Sequence, residues 1–409
     1  MKALIISHGH PDFSVGGAEI AAYNLYRTFL DNPAITEATF LARSDLKSLS
    51  PGVISLRRTG EYLWRQDIFD WFRLRSAYPR AMHTVFREFL QEKKPDIVFV
   101  HHYANIGIEV LRELRRCLPD AFIALTLHEY VAICHSQGQM VKAKNKRLCQ
   151  RESEEECSGC FPEFSPNDFF LRKHFIQRHF EVVNMFISPS EFLRERYIAW
   201  GIPENLIVVI ENGQPSFDRA ADPARDPKAP VRFGFFGQVT PYKGVDVLLQ
   251  SLHFIRPELR KQMLLEVHGA NLELQNEQLQ ETISQLRAPL VKEGSLRWVG
   301  PYEPHELRRR MSKIDWVVIP SIWWENSPMV IQEAFANGKP VVCSNIGGMA
   351  EKVRDQHTGL HFEARNPFDL AEVLSRAIEN RDLHSRLVRN IQQPLTYKEC
   401  GERYLALVG

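Results

Sequence analysis

Short apolar runs alternate with longer segments of helical periodicity along almost the whole chain. Each run is rich in β-branched or aromatic residues and ends in turn-forming residues, which is typical of buried parallel strands. The segments between the runs, such as 18–30 and 106–117, place apolar residues at the spacing of an amphipathic helix. This alternation predicts the α/β class, with parallel sheets covered by helices on both faces.

The alternation occurs in two series separated by a polar stretch. Strands are predicted at 2–7, 37–42, 96–102, 121–128, 184–190 and 206–213 in the first series and at 231–237, 264–269, 296–300, 315–320, 340–344 and 359–362 in the second. Between the two series, "GQPSFDRAADPARDPKAP" (213–230) has almost no large apolar residue, which indicates a linker. Ligands of such sheets bind at the carboxyl ends of the strands.

We therefore predict two Rossmann-like domains that face each other across a cleft. The N-terminal domain covers 1–213, a linker covers 214–230, and the C-terminal domain covers 231–390. A last helix within 391–409 can pack back on the N-terminal domain or on the C-terminal one.

Charge and composition exclude some functions. The chain of 409 residues carries 51 Lys plus Arg and 50 Asp plus Glu, so that its formal net charge is +1. This balance disfavours nucleic acid as the main partner. The opening "MKALIISHGH" indicates a strand and no signal peptide, and no run is apolar for long enough to span a membrane. With reduced cysteines, we expect a cytoplasmic protein.

One segment combines a predicted helix start with two acids. In "PSIWWENSPMVIQEAFANGKPVV" (320–342), Ser327 suits the N-cap, Pro328 suits the first helical position and Gly338 suits the helix end. The first-turn amides of Met329 and Val330 can then hold a phosphate.

The two acids of this segment are Glu325, before the helix, and Glu333, within it. Carboxylates repel phosphates and accept hydrogen bonds from hydroxyls, so that a pair of them beside a phosphate site fits a nucleotide sugar. The alternative is that Glu325 is a solvated loop residue and that Glu333 only complements the helix dipole.

A second loop follows the first strand of the second series. In "GQVTPYKG" (237–244), Lys243 is a cation that can contact a diphosphate. Gly237 and Gly244 allow the backbone to approach a ligand closely.

These segments resemble retaining nucleotide-sugar glycosyltransferases of family 4, which have the GT-B fold. The resemblance covers 320–353, with its E-x7-E pattern, together with 355–374, 233–252 and "ISHGHPDFSVGGAEIAAYNL" (6–25). It implies that Glu325 contacts the donor sugar and that Glu333 holds the ribose hydroxyls. The family has an Arg five residues before Lys243, where this chain has Gln238.

The resemblance implies further site residues. Gly16 and Gly17 match the glycine loop that approaches the donor phosphates and the acceptor, and His128, at the end of a predicted strand, matches a histidine that reaches the donor sugar. Retention is then expected by front-face substitution, in which the leaving diphosphate takes the acceptor proton. No Asp-x-Asp motif is present, so we expect no Mg²⁺ requirement.

The resemblance also implies the partners. The donor is expected to be a UDP- or GDP-sugar and the acceptor a glycan or lipid-linked hydroxyl, in polysaccharide, lipopolysaccharide or glycoconjugate synthesis. The alternative is a nucleotide-sugar-binding protein without turnover, for which Gln238 is the hint. A phosphorylase or epimerase of the same architecture is disfavoured, and a phosphorylase would need a cofactor lysine context that is not found.

Two features fall outside these motifs. Cys134, Cys149, Cys157 and Cys160 form either a structural zinc site or ordinary thiols. The segments 61–75 and 168–183 mix aromatic and basic residues. They are either amphipathic helices packed on their own domain or faces for peripheral contact with the inner surface of a membrane.

Overall fold

The computed structural model describes residues 1–14, 16–216 and 229–409, which form two compact units. The first unit contains Met1–Gly213 together with Leu395–Gly409, and the second contains Gln214–Pro394. Most of the predicted linker, residues 217–228, lies outside the described residues. The chain thus builds most of the first unit, then the second, and returns to the first at its end.

Strands are numbered in chain order through both units. Those of the first unit are β1 (Lys2–Ser7), β2 (Glu37–Ser44), β3 (Ile54–Arg58), β4 (Glu61–Arg65), β5 (Ile68–Asp70), β6 (Arg75–Ser76), β7 (Ile97–Val100), β8 (Phe122–Thr126), β9 (Met185–Ser188) and β10 (Ile207–Val209). Those of the second unit are β11 (Val231–Gln238), β12 (Met263–Ala270), β13 (Leu296–Trp298), β14 (Trp316–Ile319), β15 (Val341–Ser344) and β16 (Gly359–Phe362).

The α-helices are numbered in the same way. They are α1 (Gly17–Leu30), α2 (Pro79–His83), α3 (Val85–Lys93), α4 (Glu109–Cys117), α5 (Glu154–Cys160), α6 (Pro166–Phe180), α7 (Glu191–Trp200), α8 (Val245–Phe254), α9 (Pro257–Arg260), α10 (Glu277–Glu293), α11 (Leu307–Met311), α12 (Met329–Ala336), α13 (Gly347–Lys352), α14 (Pro367–Glu379), α15 (Arg381–Asn390) and α16 (Tyr397–Leu405).

A sheet in the order β10-β9-β8-β7-β1-β2-β4-β3 forms the centre of the first unit. Its neighbouring strands are parallel except for the edge pair β3–β4. In the central strand β1, Leu4, Ile5 and Ile6 are fully buried, as expected for a strand covered on both faces. The carboxyl ends of β1, β7 and β8 therefore lie side by side, and the residues that follow them are neighbours.

The second unit has a fully parallel sheet in the order β13-β12-β11-β14-β15-β16. Successive residues of β11 enter different cores: Phe235 packs with α8 and α14, whereas Phe236 packs with α12. This alternation follows from the two-residue period of a strand. Because β11 and β14 are adjacent, the loops that follow them meet.

Helix α16 packs against the first unit. Thr396 caps it, accepting from the Glu399 amide while the Glu399 carboxylate accepts from the Thr396 amide. The buried hydroxyl of Tyr404 lies 3.2 Å from Oγ1 of Thr126, two residues before His128. The last turn of α16 thus contacts the last residue of β8.

The structure corrects one prediction for the aromatic and basic segments. Residues 61–75, for which an amphipathic helix packed on its own domain was one of two alternatives, contain β4 and β5 and reach the first residue of β6 instead. Pairing of β4 between β2 and β3 overrides the apparent helical spacing, and Trp64 is buried in a stack on Phe86. The second segment does contain a helix, α6. Among the described residues, no helix is both long and apolar enough to cross a bilayer.

Candidate functional site

The loops that follow β11 and β14 meet at the side chain of Glu325. Nζ of Lys243 donates to Oε1 of Glu325 at 2.6 Å. The same oxygen accepts from Oγ of Ser321 at 2.8 Å and from Nε1 of Trp323 at 3.0 Å. Glu325 is only 8 % exposed, so that its negative charge is both paired and hydrogen bonded, as a buried charge requires.

The hydrogen bonds of this cluster are unequally distributed. All three donors converge on Oε1 of Glu325, and Oε2 has no partner among the residues that the structure describes. The Lys243 ammonium has three N–H groups, of which one donates to Glu325. The cluster therefore retains one carboxylate oxygen that can accept from a hydroxyl and two ammonium N–H groups that can donate to an anion.

The cluster keeps Glu325 ionised. Burial raises the pKa of this carboxyl, but the charge of Lys243 and the hydrogen bonds from Lys243, Ser321 and Trp323 outweigh it, so that the pKa lies below its ordinary value. Glu325 is thus an acceptor of hydrogen bonds at neutral pH and not an acid.

The two loops are held together through their backbones. Gly244 has φ +65°, and a Cβ at this position would overlap the carbonyl oxygen of Pro320. The Ile322 amide donates to the Tyr242 carbonyl at 2.8 Å, and the Tyr242 and Trp323 rings stack with centroids 5.5 Å apart. Lys243 is therefore placed beside Glu325 by the close approach of its own loop.

The first turn of α13, which follows β15, fixes the backbone of Glu325 from another direction. The Gly348 amide donates to the Glu325 carbonyl at 2.7 Å. A Cβ at Gly348 would overlap the backbone of Asn326, so that only glycine permits this contact.

The helix start predicted here is wrong by one residue. Pro328, with φ −59° and ψ 114°, is the N-cap of α12, and Ser327 does not cap it. The Ser327 hydroxyl is instead buried and has no hydrogen-bond partner among the residues that the structure describes. The proline ring fixes φ but leaves ψ free to be extended, which delays the helix to Met329. The amides of Met329 and Val330 lie in the first turn, as predicted.

Glu333 lies in α12 beyond Glu325, in different surroundings. Burial raises its pKa to about 7, and no charged partner opposes this. Burial, and then the charge of Glu333, raises the pKa of Tyr302 above the ordinary value. Glu333 is therefore close enough to Tyr302 to affect its phenol, and it is partly protonated at neutral pH.

Gln238 is the exposed last residue of β11, in register with Ala270 of β12. The preceding Gly237 has φ +138°, a conformation that favours glycine. Gln238 therefore stands at the strand end where the resemblance implies an arginine, and it brings an amide in place of a cation.

In the first unit, His128 follows β8 and is paired with a second histidine. Its Nε2 lies 3.0 Å from Nδ1 of His101, which follows β7. Burial, and then the charge of His8, lowers the pKa of His128 to about 3, and burial lowers the pKa of His101 as well. Both rings are neutral at neutral pH, so one donates and the other accepts.

The predicted glycine loop begins α1, with Gly16 as the N-cap and Gly17 as the first helical residue. Glu19 folds back over this start, accepting from Oγ of Ser14 at 2.7 Å and lying 3.4 Å from Nε2 of His8. Burial alone would raise the pKa of Glu19, but the interactions with His8 and Ser14 outweigh burial and lower the pKa to about 2. A carboxylate thus stands at the start of α1.

Three residues of these clusters were missed by sequence reasoning. Ser321 and Trp323 precede Glu325 by four and two residues, which is the only signal that they bond to it. His101 is far from His128 in the sequence, and the order of the strands alone brings the two together.

The zinc site predicted at Cys134, Cys149, Cys157 and Cys160 is not supported. None of the four forms a disulfide, and no group of three or more His, Cys, Asp or Glu in the described part of the chain could hold a metal ion.

Family models match both halves of the chain. The model described as Glycosyltransferase Family 4 matches residues 15–214, and the model described as Glycosyl transferases group 1 matches residues 218–393. A D-inositol 3-phosphate glycosyltransferase of Nocardioides is 26 % identical over 279 residues, which is 63 % of this chain and 57 % of the relative. The chain thus spans less than two thirds of the length of that relative.

Solved structures share the fold of the whole chain. A sucrose-phosphate synthase from Thermosynechococcus elongatus has a TM-score of 0.72 at 17 % identity, over 100 % of this chain and 98 % of its own. HepE of Anabaena in complex with UDP-glucose has a TM-score of 0.66 at 16 % identity, over 100 % and 99 % of the two chains.

Proposed function

The chain belongs to glycosyltransferase family 4 and has the GT-B fold, and from this premise we propose that it transfers a sugar from a nucleotide diphosphate sugar to an acceptor hydroxyl. The observation that carries the proposal is the cluster at Glu325. It offers a carboxylate oxygen to a hydroxyl and ammonium hydrogens to a phosphate within one side-chain contact.

The second unit is proposed to bind the donor. Lys243 contacts the diphosphate, helped by Gln238 and by the first turn of α12 through the amides of Met329 and Val330. The buried, unpartnered hydroxyl of Ser327 supports this, since a phosphate oxygen would give it a partner.

The hydroxyls of the donor are assigned to carboxylates. Glu325 accepts from the sugar, and Glu333 accepts from the ribose. Gly16 and Gly17 of the first unit are proposed to approach the donor phosphates, and the rest of that unit is proposed to hold the acceptor.

The proposed reaction retains the anomeric configuration, as the E-x7-E resemblance implies. The bond from the anomeric carbon to the diphosphate oxygen breaks, the acceptor oxygen bonds to the same face of that carbon, and its proton passes to the diphosphate. His128 orients the sugar as a hydrogen-bonding group, which its neutral state supports.

A panel of nucleotide sugars tests this function. UDP-glucose, UDP-galactose, UDP-N-acetylglucosamine and GDP-mannose are compared by thermal shift, since a bound donor raises the melting temperature according to its affinity. Release of nucleoside diphosphate with a sugar acceptor then shows turnover, and the anomeric proton coupling of the product shows retention. If none of the donors raises the melting temperature, the proposal fails.

A nucleotide-sugar-binding protein without turnover is the second candidate, favoured by Gln238. A neutral amide cannot supply the charge with which arginine stabilises a leaving diphosphate. Donor binding without release of nucleoside diphosphate, with release appearing in Gln238→Arg, would support this candidate.

Peripheral membrane contact is a third, separate proposal about the acceptor. It is supported by Phe170 and Leu171, which are exposed on α6, with Arg178 on the same helix. Flotation with anionic vesicles tests it, comparing the wild-type chain with Phe170→Ser/Leu171→Ser. Equal failure of both to float would remove it.

A further inference from the structure

Glu325 is held by two side chains that no family motif assigned to it in the sequence. Ser321, which is fully buried, and Trp323 both donate to Oε1, and both belong to the same loop as Glu325. A carboxylate oxygen that receives these two bonds and a third from Lys243 has no lone pair left for a ligand.

We propose that Ser321 and Trp323 are positioning residues that saturate Oε1 of Glu325, so that Oε2 alone is presented to a hydroxyl of the donor sugar. The proposal rests on the donor site described above. It makes these two residues determinants of the preference for a nucleotide sugar over the bare nucleoside diphosphate.

The first support is the direction of the three bonds. Without the hydroxyl of Ser321 and the indole N–H of Trp323, the plane of the carboxylate could turn about its last side-chain bond, and the second oxygen would no longer point in one direction. With both donors present, rotation would break two hydrogen bonds to a charged group, the more costly kind to lose.

The second support is that Trp323 is itself fixed. Its ring stacks on Tyr242 at 5.5 Å, and Tyr242 precedes Lys243 directly. The backbone bond from Ile322 to Tyr242 holds the same two loops together. The indole thus joins the loop of the phosphate-facing cation to the sugar-facing carboxylate.

The third support concerns Lys243, whose ammonium uses one N–H on Glu325. This bond involves neither Ser321 nor Trp323, so the ammonium stays beside Glu325 when either side chain is replaced. The two remaining N–H groups can then still donate to a diphosphate, which separates the effect on the sugar from the effect on the nucleotide.

The test separates the sugar from the nucleotide. Trp323→Phe removes the indole N–H but keeps a ring on Tyr242, and Ser321→Ala removes the hydroxyl. Affinities are measured by titration calorimetry for UDP-glucose and UDP, or for GDP-mannose and GDP if the panel favours guanine. Each variant is expected to weaken the nucleotide sugar about tenfold, the effect of one hydrogen bond to a charged group, and the nucleoside diphosphate less than about twofold.

Matched controls come from the same unit. Ser251→Ala removes another fully buried hydroxyl, which donates to the Leu248 carbonyl, and Trp298→Phe removes a partly buried indole in β13. Neither control is expected to change the ratio of the two affinities.

Each outcome decides one statement. If the wild-type chain binds neither ligand, the proposed function itself fails. If it binds both and the ratio of affinities is unchanged in Trp323→Phe and Ser321→Ala, only the positioning inference is overturned. Equal weakening of both ligands would also overturn it, since that indicates loop damage and not a lost orientation.

Discussion

The Glu325 cluster of the second unit and the His101–His128 pair of the first unit accommodate buried polar side chains in opposite ways. Around Glu325, charge is kept: the pKa of the carboxyl is lowered because an ammonium and two further donors surround it. Around His128, charge is removed: burial holds the pKa of both imidazoles far below the usual range.

This difference indicates that the Glu325 cluster and the His101–His128 pair bind different chemical groups. A charged cluster can respond to a diphosphate and to hydroxyls, whereas a neutral histidine pair can only donate or accept one hydrogen bond to a neutral group. Substitutions in the charged cluster should therefore have the larger effects.

The largest effect is expected from Glu325→Gln. Loss of the negative charge removes the acceptor for the sugar hydroxyl and the partner of Lys243, so the transfer rate should fall about 100-fold or more. Initial rates of nucleoside diphosphate release measure it. Glu379→Gln, at an exposed surface pair with Arg256, serves as the control and should match the wild type. A Glu325→Gln rate within about threefold of wild type would contradict the assignment.

Lys243→Met should weaken binding of the nucleoside diphosphate about 10- to 100-fold, since a hydrogen bond to a charged group is lost. The same change leaves Glu325 buried without its cation, so that the pKa of Glu325 should rise. Calorimetry with UDP or GDP measures the affinity, and Lys292→Met, on the exposed face of α10, is the control. Unchanged affinity would remove Lys243 from the donor site.

The neutral pair should give a smaller effect of another kind. His128→Gln is expected to lower kcat about tenfold, with little change in affinity for the nucleoside diphosphate, because one hydrogen bond to the sugar is lost. With a pKa of about 3, His128 stays neutral from pH 5 to pH 8. The pH profiles of the wild type and the variant should therefore be parallel, and a limb near pH 6.5 seen only in the wild type would show a titrating His128.

The smallest effect concerns Glu333, which resembles neither cluster because its pKa is raised to about 7. A carboxyl whose pKa is higher in the folded state than in the unfolded state binds its proton more tightly when the protein is folded. Its contribution to the free energy of unfolding is therefore lost as the pH rises from the unfolded-state pKa toward the folded-state pKa of about 7. Glu333→Gln lacks this loss. Between pH 5 and pH 8, its free energy of unfolding should therefore rise relative to that of the wild type by about 1–2 kcal/mol, and its melting temperature by a few degrees. Donor affinity of the wild type should improve over the same interval. Parallel melting curves at all pH values would contradict the raised pKa.

Much of the second unit could be predicted because its signals are local. Lys243 and Glu325 each follow a buried strand closely. β14 lies within its predicted run, and β11 extends only one residue beyond its own. The α/β fold is likewise confirmed, because apolar runs of this kind need cover on both faces.

The rest depends on contacts between distant residues. The His101–His128 pair requires the order of β7 and β8 in the sheet, which no local pattern encodes. The helix considered for segment 61–75 is wrong, because the pairing of β4 with β2 and β3 outweighs the helical spacing of its apolar residues. The cysteine spacing suggested zinc, but spacing says nothing of where the sulfur atoms lie in space. The start of α12 was displaced by the ψ angle of Pro328.

A crystal structure of the full chain with its preferred nucleotide sugar tests the central claim most directly. We predict a phosphate oxygen within about 3 Å of Nζ of Lys243 and a sugar hydroxyl within about 3 Å of Oε2 of Glu325, with Ser321 and Trp323 still bonded to Oε1. A donor bound with its diphosphate away from Lys243, or with its sugar away from Glu325, would contradict the account.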